Sequence, residues 1–213
     1  MYDLPHHKEH DEKTIREFIA QYPFAFISGV DKDNKPVGTQ LPVFIEEKNG
    51  KKVLRGHLMR NTDHHNAFEQ NNNVLVVFTG HHTYVSATWY TNTNWPSTWN
   101  YMSVHVNGKI RFVQDEELID VLRMTSLYFE KNNVDSPTVY DNLSPELTKR
   151  LIKAIVAFEI EIKELKTVFK LSQDRDIESY KNIIIQLRTQ DESGKVIADE
   201  MEKRMTQVFP DKK

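Results

Sequence analysis

The 213-residue sequence contains no cysteine. This absence excludes a disulfide framework, thiol catalysis and iron–sulfur ligation by this chain. No apolar run approaches the roughly 20 residues that a membrane-spanning helix requires. The polar, histidine-rich stretch from Met1 to Lys13 is also unlike a secretory signal. We therefore expect a cytoplasmic protein that does not enter a membrane.

A strong excess of charge of one sign is missing as well. The formal net charge is −3, with 28 % charged and 38 % hydrophobic residues, which is ordinary for a globular protein. Nucleic-acid-binding domains are usually basic. DNA stays open as a partner, but neither the net charge nor a recognisable motif supports it.

Apolar alternation and turn residues predict several short strands. The predicted strands cover residues 24–30, 36–45, 52–58, 74–79, 83–86, 103–113 and 158–162. Asn49-Gly50 predicts a tight hairpin, and Asn107-Gly108 predicts a turn or bulge. Short strands at close spacing favour an antiparallel barrel.

Helical spacing and capping residues predict the remaining elements. The predicted helices begin after Asp11, near Thr62, at Asp115, after Ser144-Pro145, at Ile177 and at Val196. Leu118, Leu122, Thr125 and Phe129 share one face of the helix that begins at Asp115. The aromatic, proline-interrupted stretch 89–100 predicts an ordered loop.

Four segments together are similar to the PaiB family. They are Ile27–Pro42, Gly56–Arg60, Gly80–Gly108 with its Trp89-Tyr90 and Trp99-Asn100-Tyr101 motifs, and Lys170–Arg175. The chain departs from the family pattern at His81, at the inserted Ser97, at Asn61-Thr62-Asp63 and at Asp174.

The resemblance implies an α+β fold, an antiparallel split β-barrel that binds FMN, with peripheral and C-terminal helices. It implies a barrel domain over residues 1–170 and a helical extension over 171–213. It further implies a homodimer with FMN at its interface and a role as a negative transcriptional regulator. The alternatives are a flavin-dependent oxidoreductase on the same fold and, more weakly, a haem protein with His57 or His82 as axial ligand.

Arg60 is the candidate for the FMN phosphate because a guanidinium can bind it bidentately. Backbone N–H groups near Asn61 and the Thr62 hydroxyl could add donors, whereas Asp63 adds negative charge. The alternative is that Arg60 is an ordinary surface arginine.

The remaining candidate cofactor residues follow from the resemblance to split-barrel flavoproteins. His57 could bond the phosphate or the ribityl chain. Trp99 and Tyr101 could cover the ring from the second subunit. The other members of the set are Thr39, Gln40, Leu41, Leu58 and Gln173. Each of these residues could instead serve packing or the subunit interface.

The histidines do not predict a metal site. His64-His65 and His81-His82 are adjacent pairs, and neighbouring side chains on a strand point to opposite faces. Ser86, His82 and Asp63 lack the spacing of a hydrolase triad. The sequence names no catalytic residue.

Overall fold

The computed structural model describes residues 1, 4–113 and 116–210, and within these ranges the chain forms six strands and seven α-helices. The strands are β1 (Phe24–Val30), β2 (Pro36–Lys48), β3 (Lys51–Met59), β4 (Asn73–Val85), β5 (Thr98–Val113) and β6 (Ile155–Lys170). The helices are α1 (Glu12–Gln21), α2 (Asp63–Gln70), α3 (Glu116–Phe129), α4 (Pro145–Ile152), α5 (Ile177–Leu187), α6 (Glu192–Lys203) and α7 (Met205–Val208).

The strands close into a barrel in the order β1-β2-β3-β6-β5-β4. Every register that defines a β1 or β3 pairing is antiparallel, with Ala25 opposite Leu41 and Leu54 opposite Ile160 as examples. The α+β class and the antiparallel barrel predicted from the sequence are confirmed. No helix among the described residues is long and apolar enough to cross a membrane.

The β2–β3 turn follows the chemistry of its two residues. Asn49 and Gly50 have φ values of 53° and 72°, and two successive positive φ values are what a tight hairpin of this kind requires. The predicted hairpin is therefore confirmed. The cap predicted at Ser144 is also confirmed, since its side chain accepts from the Leu147 N–H at the start of α4.

The chain divides into two compact units. The central unit comprises Arg16–Phe78 and His105–Leu165, and the terminal unit comprises Met1–Ile15, Thr79–Val104 and Lys166–Lys213. The completely buried strand residues of the central unit include Ile27, Val43, Leu54, Val76, Phe78, Phe158 and Ile160. The completely buried residues of the terminal unit include Val104 of β5, Leu171 after β6, and Tyr180, Ile183, Leu187, Ile197 and Met201 of the helices. The predicted boundary at residue 170 stays a prediction.

Five strands, β2 to β6, are longer than predicted. The two short strands predicted over 74–86 are one strand, β4, and the strand predicted around Ile160 extends through all of β6. Gly108 lies inside β5, so Asn107-Gly108 does not form a turn; a Cβ added at Gly108 would lie 2.5 Å from the Glu161 carbonyl oxygen of β6. The stretch 89–100 is a loop only up to Ser97. The helix start predicted at Asp115 lies outside the described residues, and α3 is described from Glu116.

Candidate functional site

A cleft of about 370 Å³ lies in the central unit, on the outer side of β3. His57 of β3 and Ile155 of β6 contribute to it from the strands. Its remaining lining comes from α3, α4 and the segment between them: Leu122, Thr125, Ser126, Phe129, Glu130, Thr138, Tyr140, Leu143, Thr148, Leu151 and Ile152. We call this the His57 cleft.

His57 is the polar group that the barrel itself contributes to the His57 cleft. It pairs with Ala157 across the strands, so it is fixed by the sheet register. Burial lowers its pKa below the ordinary histidine value, because a charged imidazolium loses solvation there. No described residue forms a hydrogen bond with its ring. At neutral pH the ring is uncharged and can both donate and accept.

The rim of the His57 cleft is apolar and accessible. Phe129 is 52 % exposed and Leu151 is 44 % exposed, although both are large hydrophobic side chains. Several polar groups of the wall are already bonded within the wall: the Ser126 hydroxyl donates to the Arg123 carbonyl, and the Thr148 hydroxyl donates to the Ser144 carbonyl. The cleft therefore offers apolar contact and one uncommitted imidazole, as small-molecule sites commonly do.

Arg60 directly follows β3. Its backbone N–H donates to the Ala154 carbonyl at 2.9 Å, next to cleft residue Ile155. The side chain is half-buried, and its guanidinium forms no hydrogen bond or ion pair with any described residue. A half-buried, uncompensated cation is a suitable partner for an anion.

The backbone donors beside Arg60 are already bonded within the chain. The Asn61 N–H donates to His65 Nδ1 at 3.3 Å, the His64 N–H to Asp63 Oδ1 at 2.7 Å, and the His65 N–H to Thr62 Oγ1 at 3.3 Å. Thr62 also donates to the Met59 carbonyl. The His64 donors lower the pKa of Asp63, which keeps that carboxylate charged. An anion at this corner would thus depend on the Arg60 side chain.

The candidate residues of β2 and β3 divide between the two faces of the barrel. Leu41 and Leu58 are buried in the core, whereas Gln40 is exposed and Thr39 is half-buried. Gln40 pairs with Phe26 of β1, whose ring is also exposed. Of these residues, Gln40 has the side chain that is free to meet a bound molecule.

Trp99 and Tyr101 belong to the terminal unit. Trp99 is 52 % exposed, and its ring centroid lies 5.7 Å from that of His82 and 6.2 Å from that of Tyr84. We call His82, Tyr84 and Trp99 the Trp99 face. The Lys170 ammonium donates to the Trp99 carbonyl at 2.9 Å and also to the Thr98 hydroxyl. Tyr101 follows two residues later on β5 and is half-buried.

Gln173 has a local role in the terminal unit. Its amide nitrogen donates to the Phe169 carbonyl at 2.5 Å, and its amide oxygen accepts from the Leu171 N–H at 2.7 Å. Both ends of the side chain therefore hold the turn after β6. A contact between Gln173 and a cofactor stays a prediction.

The helical wall of the His57 cleft was not among the predicted site residues. A signal for it was present, because Leu122, Thr125 and Phe129 share the predicted apolar face of α3. That face indicated packing against the barrel. The exposure of Phe129 shows that part of it is accessible, which helical spacing does not reveal.

Side chains in and beside the His57 cleft fit FMN in charge and polarity, although Arg60 does not line the cleft and the Glu130 carboxylate does. FMN combines a phosphate dianion, a hydroxylated chain and a flat, largely apolar ring. Arg60 supplies an unpaired cation, His57 an unpaired neutral ring, and the cleft an apolar wall. The corner at Asn61 and Thr62 fits the phosphate less well, because its donors are already bonded.

Comparison with known proteins agrees with this assignment. Residues 1–164 match the family described as "Putative FMN-binding domain". The chain is 32 % identical over 206 residues to the protease synthase and sporulation protein PAI 2 of Bacillus subtilis strain 168, covering 96 % of this chain and 98 % of that one.

Two solved structures share the fold. The FAD and heme binding protein from Mycobacterium smegmatis has a TM-score of 0.58 and 15 % identity, with 76 % of this chain and 73 % of that one covered. The flavocytochrome Anf3 from Azotobacter vinelandii has a TM-score of 0.55 and 17 % identity, with coverages of 81 % and 74 %.

Proposed function

This chain belongs to the FMN-binding domain family, where its similarity to PAI 2 confirms the PaiB resemblance, and we propose that it works as an FMN-dependent negative regulator of transcription. FMN is the cofactor that membership of this family implies for the chain. The regulatory role is supported by the name of the Bacillus subtilis relative, which refers to protease synthesis and sporulation. We expect the protein to act in the cytoplasm.

Two unpartnered side chains at one end of β3 carry the proposal for the cofactor. The Arg60 guanidinium would hold the phosphate, and the neutral His57 ring would bond a polar edge of the flavin or its ribityl chain. The apolar rim at Phe129 and Leu151 would exclude water from the ring. When bound, FMN supplies a redox-active ring whose state such a regulator can sense.

The subunit arrangement is the second part of the proposal. A homodimer would use the Trp99 face of one subunit to cover the ring held by the other. The support is the exposure of His82, Tyr84 and Trp99 on a face where Lys170 fixes the Trp99 backbone. Exposed aromatic residues are enriched where protein interfaces form.

Regulation is proposed to act through a partner protein or the flavin state rather than through an extended DNA-binding surface. The chain has a net charge of −3. Binding to DNA phosphates would require an array of unpaired basic groups. Several basic side chains of the central unit are instead paired with carboxylates, as Lys48 and Arg111 are with Glu159.

The Arg60→Ala variant tests the cofactor site. Loss of one charge-assisted contact costs about 1.5–3 kcal/mol, so we expect FMN to bind roughly 10- to 100-fold more weakly. Flavin absorbance and fluorescence titration of the FMN-free protein measure the effect. Arg16→Ala, which removes an exposed arginine of α1, is the matched control. Equal affinity in wild type and Arg60→Ala would refute the phosphate role.

A flavin-dependent oxidoreductase is the alternative, and the fold shared with a flavocytochrome is the observation that favours it. Bleaching of the bound flavin by a reduced nicotinamide, with turnover in the presence of an electron acceptor, would support the enzyme. A Soret band in the purified protein would instead support haem binding through His57 or His82.

A further inference from the structure

Arg175 in the terminal unit contacts two aromatic rings. Its guanidinium carbon lies 4.9 Å from the Tyr90 ring centroid and 4.8 Å from the Trp95 ring centroid. The Arg175 side chain is only 11 % exposed. Such cation–π contacts hold a guanidinium plane in a fixed orientation.

Two buried polar atoms in this cluster have no hydrogen-bond partner. They are Nε of Arg175 and the hydroxyl oxygen of Tyr90, a residue that is 5 % exposed. Burial raises the pKa of Tyr90, so its hydroxyl stays protonated and able to donate at neutral pH. Buried donors in native proteins are nearly always satisfied, so these two atoms indicate a molecule that accepts from both.

The backbone that carries Arg175 is held in place from several sides. Ser172 has a φ of 61°, an unfavourable value for a residue with a side chain. Its hydroxyl donates to the buried Asn100, and Gln173 bonds both Leu171 and Phe169. The turn after β6 is therefore fixed by its surroundings, which gives Arg175 a defined position before any ligand arrives.

The loop over the cluster is anchored at its two ends. The Thr91 N–H donates to the Ser179 hydroxyl at 2.9 Å, and Ser97 accepts from the Ala87 N–H at 3.0 Å. Residues 91–97 between these anchors are all exposed. Trp95 thus covers Arg175 from a segment that faces solvent.

The carboxylates near the cluster already have partners, which leaves Arg175 Nε for a ligand. Asp174 occupies one side of Arg175 through a 3.0 Å contact to Nη2, which leaves Nε for another acceptor. Lys170 lies close enough that the charges of Asp174 and Arg175 both act on its pKa, in opposite directions. Asp176 already accepts from Ser179 and Thr91, so its charge is partly compensated.

We propose that Arg175 Nε and the Tyr90 hydroxyl form a binding site for a small oxyanion, a carboxylate or a phosphate group, beneath Trp95. Because the guanidinium carbon lies 4.9 Å from the Tyr90 ring, one ligand with two oxygens can accept from both groups. The argument for this site does not depend on the cofactor role proposed for Arg60.

Full-length protein saturated with FMN is titrated with inorganic phosphate and, separately, with acetate at constant ionic strength. Thermal unfolding and tryptophan fluorescence are recorded. We expect one of these anions to raise the unfolding temperature in a saturable way and to change the fluorescence. Saturation by phosphate assigns a phosphate ligand, and saturation by acetate assigns a carboxylate.

Tyr90→Phe removes only the donor hydroxyl and is the decisive variant. We expect it to raise the Kd of the effective anion at least tenfold, while Tyr128→Phe, which alters an exposed tyrosine of the central unit, leaves it unchanged. Arg175→Lys keeps the charge but loses Nε, and should weaken the anion similarly. Arg60→Ala should retain anion binding even where it loses FMN.

Three results would overturn the site. The first is that neither anion gives saturable binding, and the second is that Tyr90→Phe binds the anion with wild-type affinity. The third is that the anion displaces FMN. The last result would assign Arg175 and Tyr90 to the cofactor itself. Because FMN occupancy is read separately from its absorbance, failure of this site and failure of the Arg60 assignment give different outcomes.

Discussion

Single residues decide how tightly the strands of the central unit approach one another, and Gly108 is one of them. A Cβ added at this position would lie 2.5 Å from the Glu161 carbonyl oxygen. We expect Gly108→Ala to lower the unfolding free energy by about 1–3 kcal/mol, because that carbonyl belongs to the neighbouring strand. Urea unfolding measures the change.

Gly50→Ala serves as the comparison for Gly108→Ala. Nothing lies within 4 Å of a Cβ added at Gly50, so its cost arises from the φ of 72° alone. That cost is about 1 kcal/mol. If the change at Gly108 were no more damaging than the change at Gly50, the close approach between β5 and β6 would be wrong.

His7 should make the protein sensitive to acid. Burial, with a smaller effect from His6, lowers its pKa from 6.5 to about 4. Between these values the unfolded chain binds the proton and the folded chain does not, so stability is complete above pH 6.5 and falls toward pH 4. At about 1.4 kcal/mol per unit of pKa, the loss is on the order of 3 kcal/mol.

Unfolding free energies of wild type and His7→Leu between pH 7 and pH 4 check this expectation. The variant should lose less stability on acidification than wild type. His10→Leu, at an exposed histidine, should follow the wild-type curve. Parallel curves for wild type and His7→Leu would assign the acid sensitivity to other groups.

The sequence predicted residue chemistry better than residue environment. It identified Arg60 and His57 as candidates because a cation and an imidazole near a strand end suit a phosphate. It could not show that the Asn61 N–H donates to the His65 ring or that the Thr62 hydroxyl accepts from the His65 N–H, since these hydrogen bonds depend on the local fold. The Arg175 contacts were also hidden, because Tyr90 and Arg175 are far apart in the sequence.

At the scale of elements, the segment before α1 is joined to β6 and the end of α6 within the terminal unit. Glu9 and Thr167 exchange two hydrogen bonds of 2.9 Å. The buried Glu9 carboxylate lies 2.7 Å from Arg204 Nη2, while Arg204 Nε bonds Glu200. An N-terminal stretch that looks featureless in sequence is therefore part of this unit's core.

Removal of the Glu9 charge should loosen this connection. We expect Glu9→Gln to lower the unfolding free energy by about 3 kcal/mol, because breaking a buried pair leaves one charge uncompensated, although Glu200 remains. Glu178→Gln, at an exposed position in the first turn of α5, should cost only a few tenths of a kcal/mol. Urea unfolding distinguishes them, and equal effects would contradict the connection.

Elements with regular alternation were predicted well, and those that change environment were not. β1 has the predicted bounds, because its burial alternates along most of its length. β6 was predicted only over residues 158–162, where apolar and polar residues alternate, because the charged pair Lys163-Glu164 breaks that alternation. Such strands are maintained by pairing with neighbours, which local sequence does not report.

At the scale of the whole molecule, the proposed homodimer predicts twice the chain mass of 25.0 kDa. Trp99→Ser should shift the protein toward the monomer and weaken FMN retention, because it removes the main exposed ring of the Trp99 face. Sedimentation velocity and flavin absorbance measure both effects. Ile185→Ser, at an exposed apolar residue of α5, is the control.

The two readouts of Trp99→Ser separate structure from cofactor. A monomeric wild type would reject the shared site altogether. A variant that stays dimeric and keeps FMN would leave the Trp99 face without either role. The resemblance to the PaiB family predicted the dimer, but the sequence of one chain does not show which surface contacts the second subunit.

The pairing of β3 with β6 also has a consequence for biosynthesis. Leu54 can pair with Ile160 only after the ribosome has added Ile160, roughly one hundred residues later. At about 5–20 residues per second, the edge of β3 remains uncovered for on the order of 5–20 s. During that interval the nascent hairpin of β2 and β3 is exposed to mispairing with other chains, so production of this protein should benefit from a holding chaperone and from slow, cool expression.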